Sequence, residues 1–173
     1  MADDLPSDYE DLTECGLTPE LEERLVSIQR ECVFMWSNKD GEAFGVVMSY
    51  LPKDGKLWLT AAEHRKRVAA IRRNPRASIC INSTGTKLGP GKTVTYKGSC
   101  VVHTDRATKD WFYPEFSLFL QRDPQAAAAF QSFLDSPHRV IIEFTPDYAL
   151  SFDGAIMWAR SPEVGAPKSV GGS

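Results

Sequence analysis

A chain of 173 residues is long enough for one domain with a buried core, and a composition of 42% hydrophobic and 25% charged residues is that of an ordinary globular protein. A formal net charge of -3 argues against a dedicated nucleic-acid binder, which needs a basic face. No apolar run is long enough to span a bilayer and no signal peptide opens the chain, so Cys15, Cys32, Cys80 and Cys100, which lack paired metal spacing, are expected to be reduced thiols of a cytoplasmic protein.

Charge is unevenly spread. Residues 1–23 hold nine acidic side chains and no basic one, whereas residues 65–76 hold six basic ones and no acidic one. Residues 1–17 read as an acidic, flexible lead-in. Thr18 and Pro19 then mark a helix start, a hydroxyl cap followed by Pro at the first helical position. Leu21, Leu25 and Ile28 share one face, which predicts a helix over about 19–30.

From Glu31 the period changes to two. CVFMWSN is a strand, Lys39-Asp40-Gly41 a turn, and EAFGVVMSYL a second strand. PKDG (52–55) is a further turn, with Pro presetting φ and Gly left-handed, and KLWLTA is the third strand. A short helix follows at about 64–74, with Val68 and Ile71 inward and Asn74-Pro75 as its stop. ASICINS (77–83) and TVTYKGSCVVHT are strands, and Gly98 inside the latter predicts a bulge or a close approach. Residues 105–135 are helical, interrupted at Pro114 and Pro124. HRVIIEFTPDYALSFDG reads as a sixth strand, a Thr-Pro-Asp corner and a short last strand. One domain over 18–160 with a flexible tail at 161–173 results. Its fold class is mainly β with helices (α+β), and six or seven short antiparallel strands suggest a small barrel, which removes exposed edges.

The chemistry concentrates at Arg65, Lys66 and Arg67. Cations at a helix C-terminus, such as Arg72 and Arg73, complement the dipole. At a helix N-terminus they are disfavoured, by ~0.3–1 kcal/mol each at the surface. Three in succession ask for an anion, and a phosphate meets free backbone N–H groups and cationic side chains in one place. The alternative is a solvated basic turn balanced by Glu63, four residues before Arg67.

LWLT (57–60), RKRVAAIRRNPRASI (65–79) and TVTYKG (93–98), in this order and spacing, resemble the flavin-binding split barrel, the superfamily of pyridoxamine 5'-phosphate oxidase and the flavin/deazaflavin oxidoreductases. The resemblance implies an FMN-binding, six- to seven-stranded antiparallel split barrel. It places the phosphate-binding Arg-Lys pair on Lys66 and Arg67 counting back from Asn74-Pro75, or on Arg65 and Lys66 counting forward from Thr60. It brings the Thr60 backbone and hydroxyl to the flavin or its phosphate. It puts Thr93, beside Lys92, where the oxidase has Gln, and it lays the strand Val46, Val47, Met48 and Ser49 along the isoalloxazine ring. It further implies a homodimer with the cofactor site built from both subunits, with the meander aromatics Trp36, Phe44 and Tyr50 serving that interface or the core. The C-terminal basic/His substrate motif of true pyridoxamine-phosphate oxidases is missing from FDGAIMWARSPEVGAP, so that activity is not expected.

The activity implied is FMN-dependent hydride transfer to or from a small conjugated substrate, the cofactor supplying the chemistry. The alternatives are use of the deazaflavin coenzyme F420, whose acidic tail suits the surplus Arg65, Arg72, Arg73 and Arg76, or flavin or haem binding without turnover. No catalytic residue and no metal site is legible. His64 reads as a surface residue, His103 as a residue leading into a helix, and Cys100 as a small buried hydrophobe. Trp111, Phe112, Tyr113, Phe116 and Phe119 either cap a flavin pocket or, as their helical spacing favours, pack on the barrel.

Overall fold

The structure, a computed structural model, describes residues 11–159. Residues 1–10 of the acidic lead-in and the 161–173 tail lie outside the described residues. Helix α1 (Pro19–Ile28) begins as expected, with the Thr18 hydroxyl accepting from the Leu21 N–H at 3.3 Å. Its buried residue is Leu25, which drops into the core.

Seven strands form one antiparallel sheet: β1 (Glu31–Ser37), β2 (Ala43–Ser49), β3 (Leu51–Lys53), β4 (Lys56–Ala62), β5 (Arg76–Asn82), β6 (Lys92–His103) and β7 (Arg139–Asp153), in the order β2-β1-β5-β6-β7-β4-β3. The strands at the two ends of that order, β2 and β3, are separated in sequence by Tyr50 alone. The sheet therefore curls until its ends meet, which is the split barrel. Tyr50 at this bend is fully buried, and its hydroxyl donates to the Val26 carbonyl at 2.8 Å. That use excludes it from any subunit interface. Phe34, Leu59, Ile79, Ile81, Val94, Ile142 and Phe144 fill the interior.

Two local expectations are corrected, and the one at Gly98 is met. The 52–55 turn is a two-residue hairpin at Asp54 (φ 53°) and Gly55 (φ 72°), both left-handed as a type I′ turn requires. Pro52 instead lies in β3, an edge strand where its missing N–H is tolerated. The Thr-Pro-Asp corner does not divide the chain: β7 runs unbroken for 15 residues and pairs with β6 on both sides of Pro146. The irregularity is a register shift between Lys97 and Gly98, with Pro146 opposite Gly98. A Cβ on Gly98 would lie 2.2 Å from the Thr145 carbonyl oxygen, so the close approach expected there is made by the β7 backbone.

Helices α2 (Lys66–Arg73), α3 (Arg106–Leu120), α4 (Pro124–Leu134) and α5 (Gly154–Ala159) complete the fold. Pro114 does not interrupt α3. Phe112, Tyr113 and Phe116 on either side of it are buried with Leu51, Leu134 and Ile141 in a second core, and that packing outweighs the one lost backbone hydrogen bond. Pro124 does open a new helix, capped by Asp123, which accepts from the Ala126 N–H at 2.7 Å. Among the described residues no helix is long and apolar enough to cross a membrane.

Candidate functional site: a cationic cradle at the start of α2

The β4 strand delivers the chain to α2 through the turn Glu63-His64-Arg65. Arg65 is the N-cap, has no side-chain capping bond, and the first turn of α2 carries no acidic residue. Lys66 and Arg67 are the first two helical residues, so all three cations do oppose the dipole. Glu63 does not balance Arg67. It pairs with Arg72 at 2.8 Å, on the exposed side of α2.

Arg65 and Lys66 are exposed, whereas Arg67 is half-buried and its Nε is buried without a hydrogen-bond partner among the described residues. Burial, then the neighbouring Arg65 and Arg139 guanidinium groups, hold its pKa below the ordinary arginine value. A buried donor beside two like charges is poorly served by the protein alone.

Arg139 was not singled out by the sequence. It opens β7 opposite Ala62, and the Glu63 N–H donates to the His138 carbonyl at 2.8 Å, which pins this end of β7 to the β4–α2 turn. Thr60 and Ala62 face outward from β4 with their partners Ile141 and Arg139. Thr60 is 9% exposed, and its hydroxyl donates to the Val140 carbonyl at 2.9 Å. Beside Thr60 stands Tyr113 of α3, 1% exposed, whose hydroxyl also has no hydrogen-bond partner of good geometry among the described residues. Burial raises the Tyr113 pKa, and Thr60 and Arg139 act against it. One region thus gathers Arg65, Lys66, Arg67, Arg139, Thr60 and Tyr113.

The remaining expected residues are elsewhere. β2 is at one end of the sheet order, so its second backbone edge has no ladder partner over 43–49. Val46 and Met48 turn inward, whereas Val47 is 65% exposed and Ser49 half-buried on the outer face. Val47, Val33, Cys80, Thr95 and Leu150 form one cross-strand row over β2, β1, β5, β6 and β7. Val47 also lines a depression of about 350 Å³ with Gln29, Glu31, Val33, Asn82 and Thr84. Thr93 is the cross-strand neighbour of Asn82, and Lys92 pairs with Asp153 at 3.4 Å. Asp153 and Arg139 are the two ends of β7, roughly 45 Å apart along an extended strand. A single subunit therefore holds two separate groups: Thr60, Arg65, Lys66 and Arg67 at one end, and Val47, Ser49, Lys92 and Thr93 at the other.

The other candidates have structural uses. His103 Nε2 donates to Glu143 Oε2 (2.8 Å) and packs on Trp58, while Lys56 also binds Glu143. Phe112, Tyr113 and Phe116 are core residues, as their spacing favoured. All four cysteines are free, and burial pushes the Cys100 thiol up to about 12.

Residues 17–151 match the family described as pyridoxamine 5'-phosphate oxidase. No curated protein matches the chain. Among solved structures, a conserved hypothetical protein of Mycobacterium tuberculosis is similar over 92% of this chain and 96% of its own, at 18% identity and a TM-score of 0.70. An F420 reductase is similar over 74% of this chain and 94% of its own, at 17% identity and a TM-score of 0.57. A FAD-binding protein of Mesorhizobium loti is similar over 78% and 93%, at 18% identity and a TM-score of 0.57. At these identities the likeness establishes the shared fold.

Proposed function

The chain belongs to the pyridoxamine 5'-phosphate oxidase family, and from that premise we propose that it is a flavin-dependent oxidoreductase that holds FMN by its phosphate at the start of α2. The observation that carries this is the half-buried Arg67, with its unpartnered Nε, near two further guanidinium groups and with no ion-paired carboxylate among the described residues. A phosphate dianion would satisfy that donor, offset the repulsion and complement the uncapped helix end together. Arg65 and Lys66, exposed at the rim, would steer and neutralise it. Bound flavin supplies the hydride transfer, to or from a small conjugated substrate. The protein supplies anchoring and orientation.

A single phosphate suits the charge left over better than an acidic deazaflavin tail does. Of the four surplus arginines, Arg72 is paired with Glu63, Arg73 donates to the Ser37 carbonyl at 3.4 Å, and Arg76 is held by Asp147. Arg65 and Arg73 make no ion pair among the described residues, and of the four only Arg65 makes no side-chain hydrogen bond there either.

The two separated residue groups support a homodimer in which one subunit brings the phosphate end and its partner brings the β2 edge with Lys92 and Thr93. The outer row, with Val47 65% and Leu150 63% exposed, supplies an apolar face for that contact. Phe44, 48% exposed and stacked on Trp36 at 6.0 Å, adds to the edge.

The test compares FMN with riboflavin, which lacks the phosphate. FMN binding at least roughly tenfold tighter than riboflavin is expected, since a charged hydrogen bond is worth ~1.5–3 kcal/mol. Equal affinities would remove the phosphate site.

A further inference from the structure

A cleft of about 720 Å³ separates α1 from the β3–β4 hairpin, a volume within the range of small-molecule sites. It lies at the Lys56 end of β4, about 20 Å by strand rise from the Ala62 end that leads to Arg65 and Lys66. Helix α1 stands off the hairpin because it is fixed elsewhere. Leu25 is buried in the core, the Gln29 side chain donates to the Asn82 carbonyl at 2.7 Å, and the Tyr50 hydroxyl donates to the Val26 carbonyl. Pro19, Glu22, Glu23, Val26 and Ser27, spaced i, i+3, i+4, i+7 and i+8, form one face of α1, and all of them line the cleft.

The walls are mostly apolar, with Leu17 and Val26 on the helix side, Pro52 and Leu57 on the hairpin, and Tyr96 of β6. Their charge is one-sided. Lys53 and Lys56 border the cleft, but their ammonium groups are committed to Glu115 and Glu143 and lie over the Trp111 and Trp58 rings. Glu22, Glu23 and Asp54 border it too and make no ion pair among the described residues. One Glu22 oxygen accepts from the Tyr96 hydroxyl at 2.6 Å, which leaves the other to accept from a ligand. Carboxylates near a helix N-terminus complement its dipole. That accounts for Glu22 and Glu23 singly, but not for their sharing a cleft with Asp54 while both bordering lysines are engaged elsewhere.

We propose that this cleft is a second ligand site, separate from the α2 cations, and that it takes an organic amine. The apolar body would lie between α1 and the hairpin, with the ammonium head on Glu22 and Glu23. An anionic ligand would meet uncompensated like charge. A neutral apolar ligand would desolvate the carboxylates and bring them no donor. An ammonium brings three donors, and its charge-assisted bond to Glu22 leaves the Tyr96 bond in place.

The experiment uses the full chain at neutral pH and three probes of similar shape: phenethylamine, the neutral phenethyl alcohol and the anionic hydrocinnamate. Calorimetric titration should show the amine binding at least roughly tenfold tighter than the alcohol, the worth of one charged hydrogen bond, and hydrocinnamate should not bind. The double variant Glu22→Gln, Glu23→Gln keeps an acceptor for Tyr96. It should bind the amine no better than the alcohol, with FMN affinity unchanged. Ser27→Trp, at an exposed position on the cleft face of α1, should keep the wild-type thermal midpoint and block the amine by filling the cleft. Equal binding of the three probes, a wild type that takes up no amine, or amine binding that survives either substitution set would overturn the proposal.

Discussion

Replacing Arg67 by Met should move stability and cofactor binding in opposite directions. Without an anion, the Arg67 guanidinium sits half-buried beside Arg65 and Arg139, and burial and both neighbours act against its charge. Its Nε has no partner among the described residues, and Glu63 is engaged by Arg72. Met keeps the apolar stem and removes the charge. At an effective dielectric near 20 and with salt screening, relief of the repulsion is worth about 0.5–1 kcal/mol to the cofactor-free protein. The same change removes a charged hydrogen bond to phosphate, so FMN affinity should fall by ~1.5–3 kcal/mol. Urea unfolding of cofactor-free wild type and Arg67→Met at low salt reads the first effect, and FMN titration reads the second. A cofactor-free variant less stable than wild type, with FMN affinity unchanged, would make Arg67 an ordinary structural residue and refute the reasoning.

Three other outcomes are expected. Gly98→Ala should destabilise the fold by more than the ~1–3 kcal/mol usual for overpacking, because its Cβ would meet the Thr145 carbonyl at 2.2 Å and Phe144 at 2.7 Å; a urea midpoint equal to wild type would contradict the tight β6–β7 crossing. Leu150→Arg, on the 63% exposed outer row, should sediment as a 19.3 kDa monomer while wild type sediments as a dimer; a monomeric wild type with FMN bound would exclude the shared site. Burial alone would raise the Glu143 pKa, but Lys56 and His103 bring it below the ordinary value of 4.5. A carboxylate with a depressed folded pKa stabilises above its unfolded pKa and loses that stabilisation as pH falls through the folded value. Wild-type stability should therefore drop as pH falls below about 4.5, and Glu143→Gln should show a shallower drop, measured by denaturation at a series of pH values.

Much of the fold is legible because local chemistry and global topology agree. Thr18-Pro19, Asp54-Gly55 and Asn74-Pro75 each specify one backbone conformation, and strand alternation supplies the rest. Proline misleads where tertiary packing overrides it. Pro146 reads as a corner yet lies in an unbroken β7, and Pro114 reads as a break yet lies inside α3. Closure of the barrel at Tyr50 leaves no local signal, since one residue between two strands reads as one strand. At the site, the run Arg65-Lys66-Arg67 is visible because cations at a helix start violate the dipole rule. Arg139 is invisible because a lone cation before an apolar strand violates nothing, and Tyr113 is hidden in an aromatic run whose spacing correctly signals packing. Pairing of Glu63 with Arg72 rather than Arg67 is a matter of side-chain direction around α2, which sequence spacing alone leaves open. The separation of Thr60 and Arg67 from Val47 and Thr93 emerges only once β7 is seen at its full length.

The central claim is that this chain retains a flavin through its phosphate. Mass spectrometry of the small molecule released from purified, denatured protein tests it most directly. The expected product is FMN, released together with visible flavin absorption. Release of haem, of a deazaflavin or of riboflavin without its phosphate would contradict it.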